Sequence, residues 1–289
     1  MKKVFVSLFL ASFAVGLMAQ EAPGKVAAKP EEARRIYFPA QGIQSNNVEA
    51  LVAKATNLTN HGGPVITSAK VVLIFWGPTF ANASSADHTY ATTLQSFRNQ
   101  YGTNGEYNTI TQYSGSNGTI ALSNLAAGTA DMFDTATPPT AVSDAAVQGE
   151  VNKYLSTHTK DNNTIYEVVI PSTSYSSDGA GDTSCGGPNL QYCAYHSSFP
   201  KGSSTVKYTI QPYPSCSGCA VSGWSATQNQ EHLVCFETRD VVTDPTGLGW
   251  YDIQGREICE KCSLPFNPPP PSFSTVCGPA WSNKARGCF

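Results

Sequence analysis

The chain has 289 residues and carries 18 basic and 21 acidic side chains, a formal net charge of −3. Charged residues make up only 13% of the chain, and such a composition lacks the basic face that a nucleic-acid partner requires.

The N-terminus has the three regions of a secretory signal peptide. Lys2 and Lys3 precede an apolar run that ends at Met18, and Ala19 is a small residue suited to cleavage. The run is shorter than the roughly 20 residues that a membrane-spanning helix needs. We therefore predict a signal peptide over 1–19 and a secreted, extracellular chain of net charge −5, with no membrane span after cleavage.

The following segments predict one α/β domain with a mixed sheet and packing helices. Residues 20–57 are polar and are predicted to be a pro-segment or linker, and the domain is predicted to span 58–265. Apolar β-branched and aromatic runs predict strands at 70–78, 107–113, 119–123, 165–170 and 206–210. Apolar spacings of three and four predict helices at 87–101 and 143–156. Residues 172–204 are predicted to be a long loop, and 266–289 a Pro-rich, Cys-containing tail.

Nine cysteines in an exported chain indicate disulfides and a cross-linked C-terminal region. The odd count leaves one thiol unpaired, and Cys235 is the candidate because it lies inside a predicted helix. Neighbouring cysteines suggest the pairs Cys185–Cys193, Cys216–Cys219, Cys259–Cys262 and Cys277–Cys288. The two CxxC spacings also match a tetrathiolate zinc site, an alternative that secretion disfavours.

A helix around residue 237 has the pattern of a zinc metallopeptidase with one letter changed. In that pattern a His comes first, a Glu follows as general base, and a second ligand lies four residues after the His. Glu237 and Asp240 occupy the base and second-ligand places, but Phe236 occupies the first. His232 lies about 12 Å along the helix axis from Asp240, too far for the two to hold one ion.

Several segments together resemble the exordium-like, phosphate-induced protein family in its bacterial form. They extend over roughly residues 58–262, and the stretch from Phe236 to Cys262 agrees at the most positions. The resemblance rests on five segments: His61 to Val65, Val72 to Pro78, Tyr192 to His196, Cys216 to Ala220, and Phe236 to Cys262 with its Thr-Asp-Pro and Trp-Tyr-Asp motifs. It implies an exported domain, extracellular or at the cell wall, and a His-Glu helix that invites a metallopeptidase interpretation. This chain departs from the family at Phe236, where the family has His.

Candidate metal ligands beside Glu237 are Asp240, Glu257, His61 and His196. A carboxylate-rich set favours calcium over zinc, and both ions stay open, as does the alternative that these acids are caps and solvated residues. The segment Cys216 to Cys219 does not fit a papain-type nucleophile, because Ala220 replaces the expected Trp.

Three function classes remain. The first is a non-catalytic domain that binds a cell-wall, matrix or peptide ligand. The second is a metal-dependent hydrolase with Glu237 as general base. The third is a degenerate peptidase that still binds peptides in a groove partly filled by Phe236.

Overall fold

The computed structural model describes residues 35–41, 56–128, 130–262 and 275–289. The predicted signal peptide, most of the predicted linker and residues 266–274 of the predicted tail lie outside the described residues. Within those ranges, no helix combines the length and apolar character needed to cross a membrane.

The centre of the fold is a six-stranded mixed sheet in the order β1-β10-β11-β8-β3-β6. Strand β11 pairs with β8, β8 with β3 and β3 with β6 in parallel, while β1–β10 and β10–β11 are antiparallel. The α/β prediction with a mixed sheet is thus confirmed. The described strands are β1 Ile36–Pro39, β2 Thr59–Asn60, β3 Lys70–Trp76, β4 Ser114–Gly115, β5 Gly118–Thr119, β6 Met132–Asp134, β7 Ala141–Ser143, β8 Thr164–Val169, β9 Tyr175–Ser177, β10 Tyr192–Lys201, β11 Ser204–Gln211, β12 Trp250–Tyr251, β13 Trp281–Ser282 and β14 Gly287–Cys288.

Helices cover both faces of this sheet. The described helices are α1 Pro78–Ala81, α2 Ala86–Tyr101, α3 Gly105–Asn108, α4 Asp144–Leu155 and α5 Ala226–Thr243. Helices α2 and α5 pack on the face that carries Val71, Leu73 and Phe75 of β3. Helix α4 packs on the opposite face, against Val72 and Ile74. This alternation follows from the period of two in a strand.

The structure differs from four predictions about elements. Residues 107–113 hold the end of α3 and a 3₁₀ turn over Thr109–Gln112 rather than a strand, and the strand predicted at 119–123 shrinks to β5. The predicted loop 172–204 contains β10, the longest described strand. The predicted linker contains β1, whose Phe38 is buried in the core, so the sheet begins before residue 58.

Part of the predicted tail also belongs to the fold. Strands β13 and β14 form a hairpin, and Trp281 is buried against the main core. Three contacts hold this segment on α5: the Cys235–Cys277 disulfide, a hydrogen bond from Arg239 Nη2 to Gly278 O (2.7 Å), and a contact of 2.8 Å between His232 Nδ1 and Val276 O.

Candidate functional site

Helix α5 supports the candidate site and is buried almost along its whole length. Ser225 caps its N-terminus, and Gln228 completes a capping box by accepting from the Ser225 backbone N–H. The helix ends at Thr243, just before Asp244-Pro245. From Gln230 to Thr243 every side chain except that of Glu231 is buried, because the helix lies between the sheet and the C-terminal segment.

Phe236, in the first place of the metallopeptidase pattern, packs in the apolar core. Its ring meets the ring of Phe38 edge-on, with centroids 4.2 Å apart. Glu237, Asp240 and Asp244 follow at spacings of three and four, which places them along one stripe of the helix. The polar stripe therefore starts at Glu237, one position beyond Phe236.

His196 of β10 lies between two carboxylates. Its Nδ1 is 2.8 Å from Oε2 of Glu237, a hydrogen bond in which the ring N–H donates. Its Nε2 is 3.3 Å from Oε2 of Glu257, without the alignment of a hydrogen bond. Glu237 and Glu257 are each 0% exposed and His196 is 3% exposed. We call His196, Glu237, Glu257 and Asp240 the His196 centre.

The charges of this centre are coupled. Burial by itself lowers the pKa of His196, but the two carboxylates outweigh it and raise the pKa well above the usual value for histidine. Burial also raises the pKa of Glu257 and of Asp240 well above their usual values. These pKa shifts favour an imidazolium at His196 and protonated carboxyl groups at Glu257 and Asp240, because several bare carboxylates in a dry interior are unstable.

The loop that supplies Glu257 is fixed by a second buried ion pair. Asp252 Oδ2 accepts from Arg256 Nη2 at 3.1 Å and from Lys261 Nζ at 3.0 Å, and the Lys261 ammonium lies 4.5 Å from the centroid of the Trp281 ring. Burial tends to raise the pKa of Asp252, but hydrogen bonds from the Arg256 backbone and from Lys261 hold it below its usual value. These contacts position Glu257 against the sheet.

A hydrogen-bonded polar chain runs beside the His196 centre. Thr238 Oγ1 donates to Glu167 Oε1 (2.8 Å), and Gln211 Nε2 donates to Glu167 Oε2 (3.3 Å). Gln230 Nε2 donates to Gln211 Oε1 (2.8 Å), and Gln230 Oε1 accepts from Tyr90 Oη (2.6 Å). Burial raises the pKa of Glu167 to about 8, which favours its protonated form at neutral pH.

Sequence reasoning missed Glu167, although a signal exists. In Thr164–Val169 the alternation puts Glu167 on the same face as Ile165 and Val169, both of which are buried in the α5-side core. A carboxylate on an otherwise apolar strand face predicts a buried polar partner.

Some atoms of the His196 centre lack hydrogen-bond partners. They are Nε2 of His196, Oε1 of Glu237, Oδ2 of Asp240 and both oxygens of Glu257. Such buried atoms are rare in native proteins and mark functional or ion-binding places. These nitrogen and oxygen atoms are of the kinds that bind metal ions, so the distances between them decide whether they could hold one.

The donor atoms do not fit a metal ion in this arrangement. Within the described ranges, the one group of three ligating side chains whose donor atoms lie within 4.8 Å of one another is Cys185, Cys216 and Cys219. Those sulfurs are in disulfides. In the His196 centre, Nδ1 of His196 is bonded to Glu237.

The predicted base Glu237 and the predicted ligands Asp240, Glu257 and His196 come together, whereas the predicted ligand His61 does not. The His61 ring stacks on Tyr251 with centroids 3.5 Å apart, and its Nδ1 contacts Gly249 O. His61 is exposed, while the His196 centre is buried. The structure therefore does not place His61 in the His196 centre.

The four predicted disulfide pairs are also wrong, although disulfides are present. The pairs are Cys185–Cys216, Cys193–Cys219, Cys235–Cys277 and Cys262–Cys288, and Cys259 rather than Cys235 is the free, buried thiol. Cys216 and Cys219 lie at the two ends of a 3₁₀ turn and bond to different partners. Cys216 pairs with Cys185 in a loop, and Cys219 pairs with Cys193 in β10. Tertiary packing rather than nearness in the chain sets the pairing.

Comparisons of the chain with models of protein families, with characterised proteins and with solved structures gave no match.

Proposed function

We propose that this chain is a secreted, exordium-like protein whose domain binds an extracellular or cell-wall component without catalysis. The four disulfides support an exported protein, since such bonds persist in oxidising compartments. The family assignment is supported by the segment from Phe236 to Cys262, which contains the Thr-Asp-Pro and Trp-Tyr-Asp motifs.

The observation that carries the non-catalytic proposal is the burial of Glu237. A general base must come within hydrogen-bond reach of the proton that it abstracts. Glu237 is 0% exposed, and its Oε2 is already bonded to His196. In this account Glu237 and Asp240 of the metallopeptidase-like helix have a structural role inside the protein.

Retention on insoluble polymers tests the proposal. The mature chain is incubated with wall polysaccharide and with fibrous matrix protein, and the bound fraction is measured with and without EDTA. We expect retention on at least one polymer that EDTA leaves unchanged. Chelator-sensitive hydrolysis of casein or peptides, lost in Glu237→Gln, would overturn the proposal.

A metal-dependent hydrolase that uses Glu237 as general base is the second candidate. It is favoured by the unpaired atoms of His196, Glu237 and Glu257. It requires the segment that carries Glu257 to move and open a path to solvent. The same hydrolysis assay separates the two candidates.

A further inference from the structure

A cavity of about 680 Å³ lies at the edge of the central sheet, away from the His196 centre. Lys70, Thr164 and Ser204 line it, and they are the first residues of β3, β8 and β11. These strands are neighbours and run in parallel, so their amino ends open at the same edge. The volume falls within the range of small-ligand pockets, about 300–1,000 Å³.

Positive charge exceeds negative charge around this cavity. The lining includes Lys70, Lys160 and a single carboxylate, Asp161. Lys70 Nζ is 2.6 Å from Asp161 Oδ2. A third ammonium reaches the same loop, because Lys207 Nζ donates to Asn162 O at 2.8 Å. Two lysines and one carboxylate therefore line the cavity, and a third lysine contacts its loop, in a chain whose overall charge is negative.

The buried position of one of these lysines reinforces the argument. Lys207 is only 9% exposed. Burial lowers its pKa, and repulsion from the Lys160 ammonium lowers it further. An anion in the cavity would relieve that repulsion.

Two tyrosines form the apolar wall of the cavity. The rings of Tyr154 and Tyr166 have centroids 5.6 Å apart, and both line the cavity. His158 stacks on Tyr154 at 4.0 Å and holds the ring in place. Ring faces beside charged groups suit an organic ligand better than a bare ion.

We propose that this cavity binds a small organic oxyanion, a sugar-sized molecule with a carboxylate or phosphate group that faces Lys70 and Lys160 while its ring lies against the tyrosines. The inference goes beyond the proposed binding function, because it assigns a place and a ligand chemistry. It is independent of the His196 centre.

Calorimetry with three probes tests this assignment: glucuronic acid, glucose 6-phosphate, and glucose as the uncharged control. We expect one of the two acids, or both, to bind more tightly than glucose, with an affinity that falls as salt rises. Binding of the uronic acid alone identifies a carboxylate ligand, and binding of the sugar phosphate alone a phosphate ligand. Equal affinity for glucose and both acids, or no binding of either acid, would overturn the proposal.

Three variants connect the binding to this cavity. Lys160→Gln should weaken binding about tenfold, the effect of one charge-assisted contact. Asp161→Asn should tighten it, because it removes the competing carboxylate. Lys284→Gln is the matched control, since Lys284 is exposed on the C-terminal hairpin. Unchanged affinity in Lys160→Gln, with circular dichroism like that of the parent, refutes the assignment. Retention on polymers tests the proposed function separately.

Discussion

The two faces of the central sheet are built from the same strands, but the α5 face carries a buried polar network in its apolar core. On the α4 face, Val168 of β8 and Ile210 of β11 pack in an apolar cluster with Val147 and Val151. On the α5 face, the alternate positions of neighbouring strands are polar and buried: Glu167, Thr209, Gln211 and His196. The α4 face is held at these positions by non-directional burial, whereas the α5 face combines an apolar core with a buried network of hydrogen bonds and charges.

The comparison teaches where this fold is vulnerable. Apolar burial tolerates changes of shape that conserve volume. A buried polar network depends on every partner, because an atom left alone pays its full desolvation cost. The α5 face should therefore respond more strongly to single substitutions, to pH and to loss of its cross-link.

The largest effect is expected from breaking the His196 centre. His196→Leu leaves Glu237 and Glu257 buried without their imidazolium, so the free energy of unfolding should fall by about 3–5 kcal/mol. Urea unfolding measures the change. The double variant His196→Leu/Glu237→Met, which removes both partners, should be more stable than the sum of the single changes predicts. Strict additivity would mean that the two residues are not coupled.

The disulfide between α5 and the C-terminal segment should have the next largest effect. Cys235→Ala/Cys277→Ala removes the bond that joins the middle of α5 to this segment. We expect a loss of about 2–5 kcal/mol in thermal or urea unfolding. Cys259→Ala is the matched control, because it removes the free thiol and leaves the four disulfides intact. It should cost about 1 kcal/mol, the typical cost of a point substitution.

The pH dependence of stability should separate the two faces further. The pKa of Glu167 is about 8 in the folded chain and about 4.3 in an unfolded one. Between these values the folded state holds a proton that the unfolded state has lost. The contribution of Glu167 to stability therefore falls as pH rises, by up to about 1.4 kcal/mol per pH unit.

Glu167→Gln should remove that slope, since an amide does not titrate and Thr238 Oγ1 can accept as well as donate. Urea midpoints between pH 5 and 8 measure the difference from the parent chain. Ile210→Val on the α4 face is the control. It should cost about 0.5–1.5 kcal/mol at every pH. A Glu167→Gln profile parallel to that of the parent chain would show that Glu167 is ionised in the folded state.

The smallest effect is expected from Phe236→His, which should leave the zinc content of the protein unchanged. The Phe236 ring packs on Phe38, so an imidazole there faces the core rather than the His196 centre. We expect no stoichiometric zinc by metal analysis of the refolded variant. A gain of tight zinc binding would restore the metallopeptidase interpretation of this helix.

The sequence predicted the elements whose patterns are local. Strands β3 and β8 are apolar runs, α2 and α4 have helical spacing, and both kinds of signal need no tertiary information. Strand β10 was missed because Cys, His and Ser interrupt its apolar residues. Its place in the sheet depends on pairing with β1 and β11.

The candidate site could be predicted only in part, because its residues come from distant segments of the chain. Glu237 was selected from motif spacing, Glu257 from the acidic segment after the helix and His196 as a loop histidine, and the structure brings the three together. His61 was selected as a second loop histidine, and the fold places it in an exposed loop against Tyr251. The disulfide pairs and the polar chain at Glu167 depend on contacts between distant segments, which a single sequence does not specify.

In this account the His196 centre is stabilised by protonation of the imidazole and of its surplus carboxyl groups, and the centre is closed to substrate. Nitrogen NMR of the His196 ring at pH 7 tests it most directly. We expect both ring nitrogens to carry protons, with the shifts of a charged imidazolium and no change on addition of EDTA. An unprotonated Nε2 whose shift changes with EDTA would contradict this account and indicate a metal-binding centre.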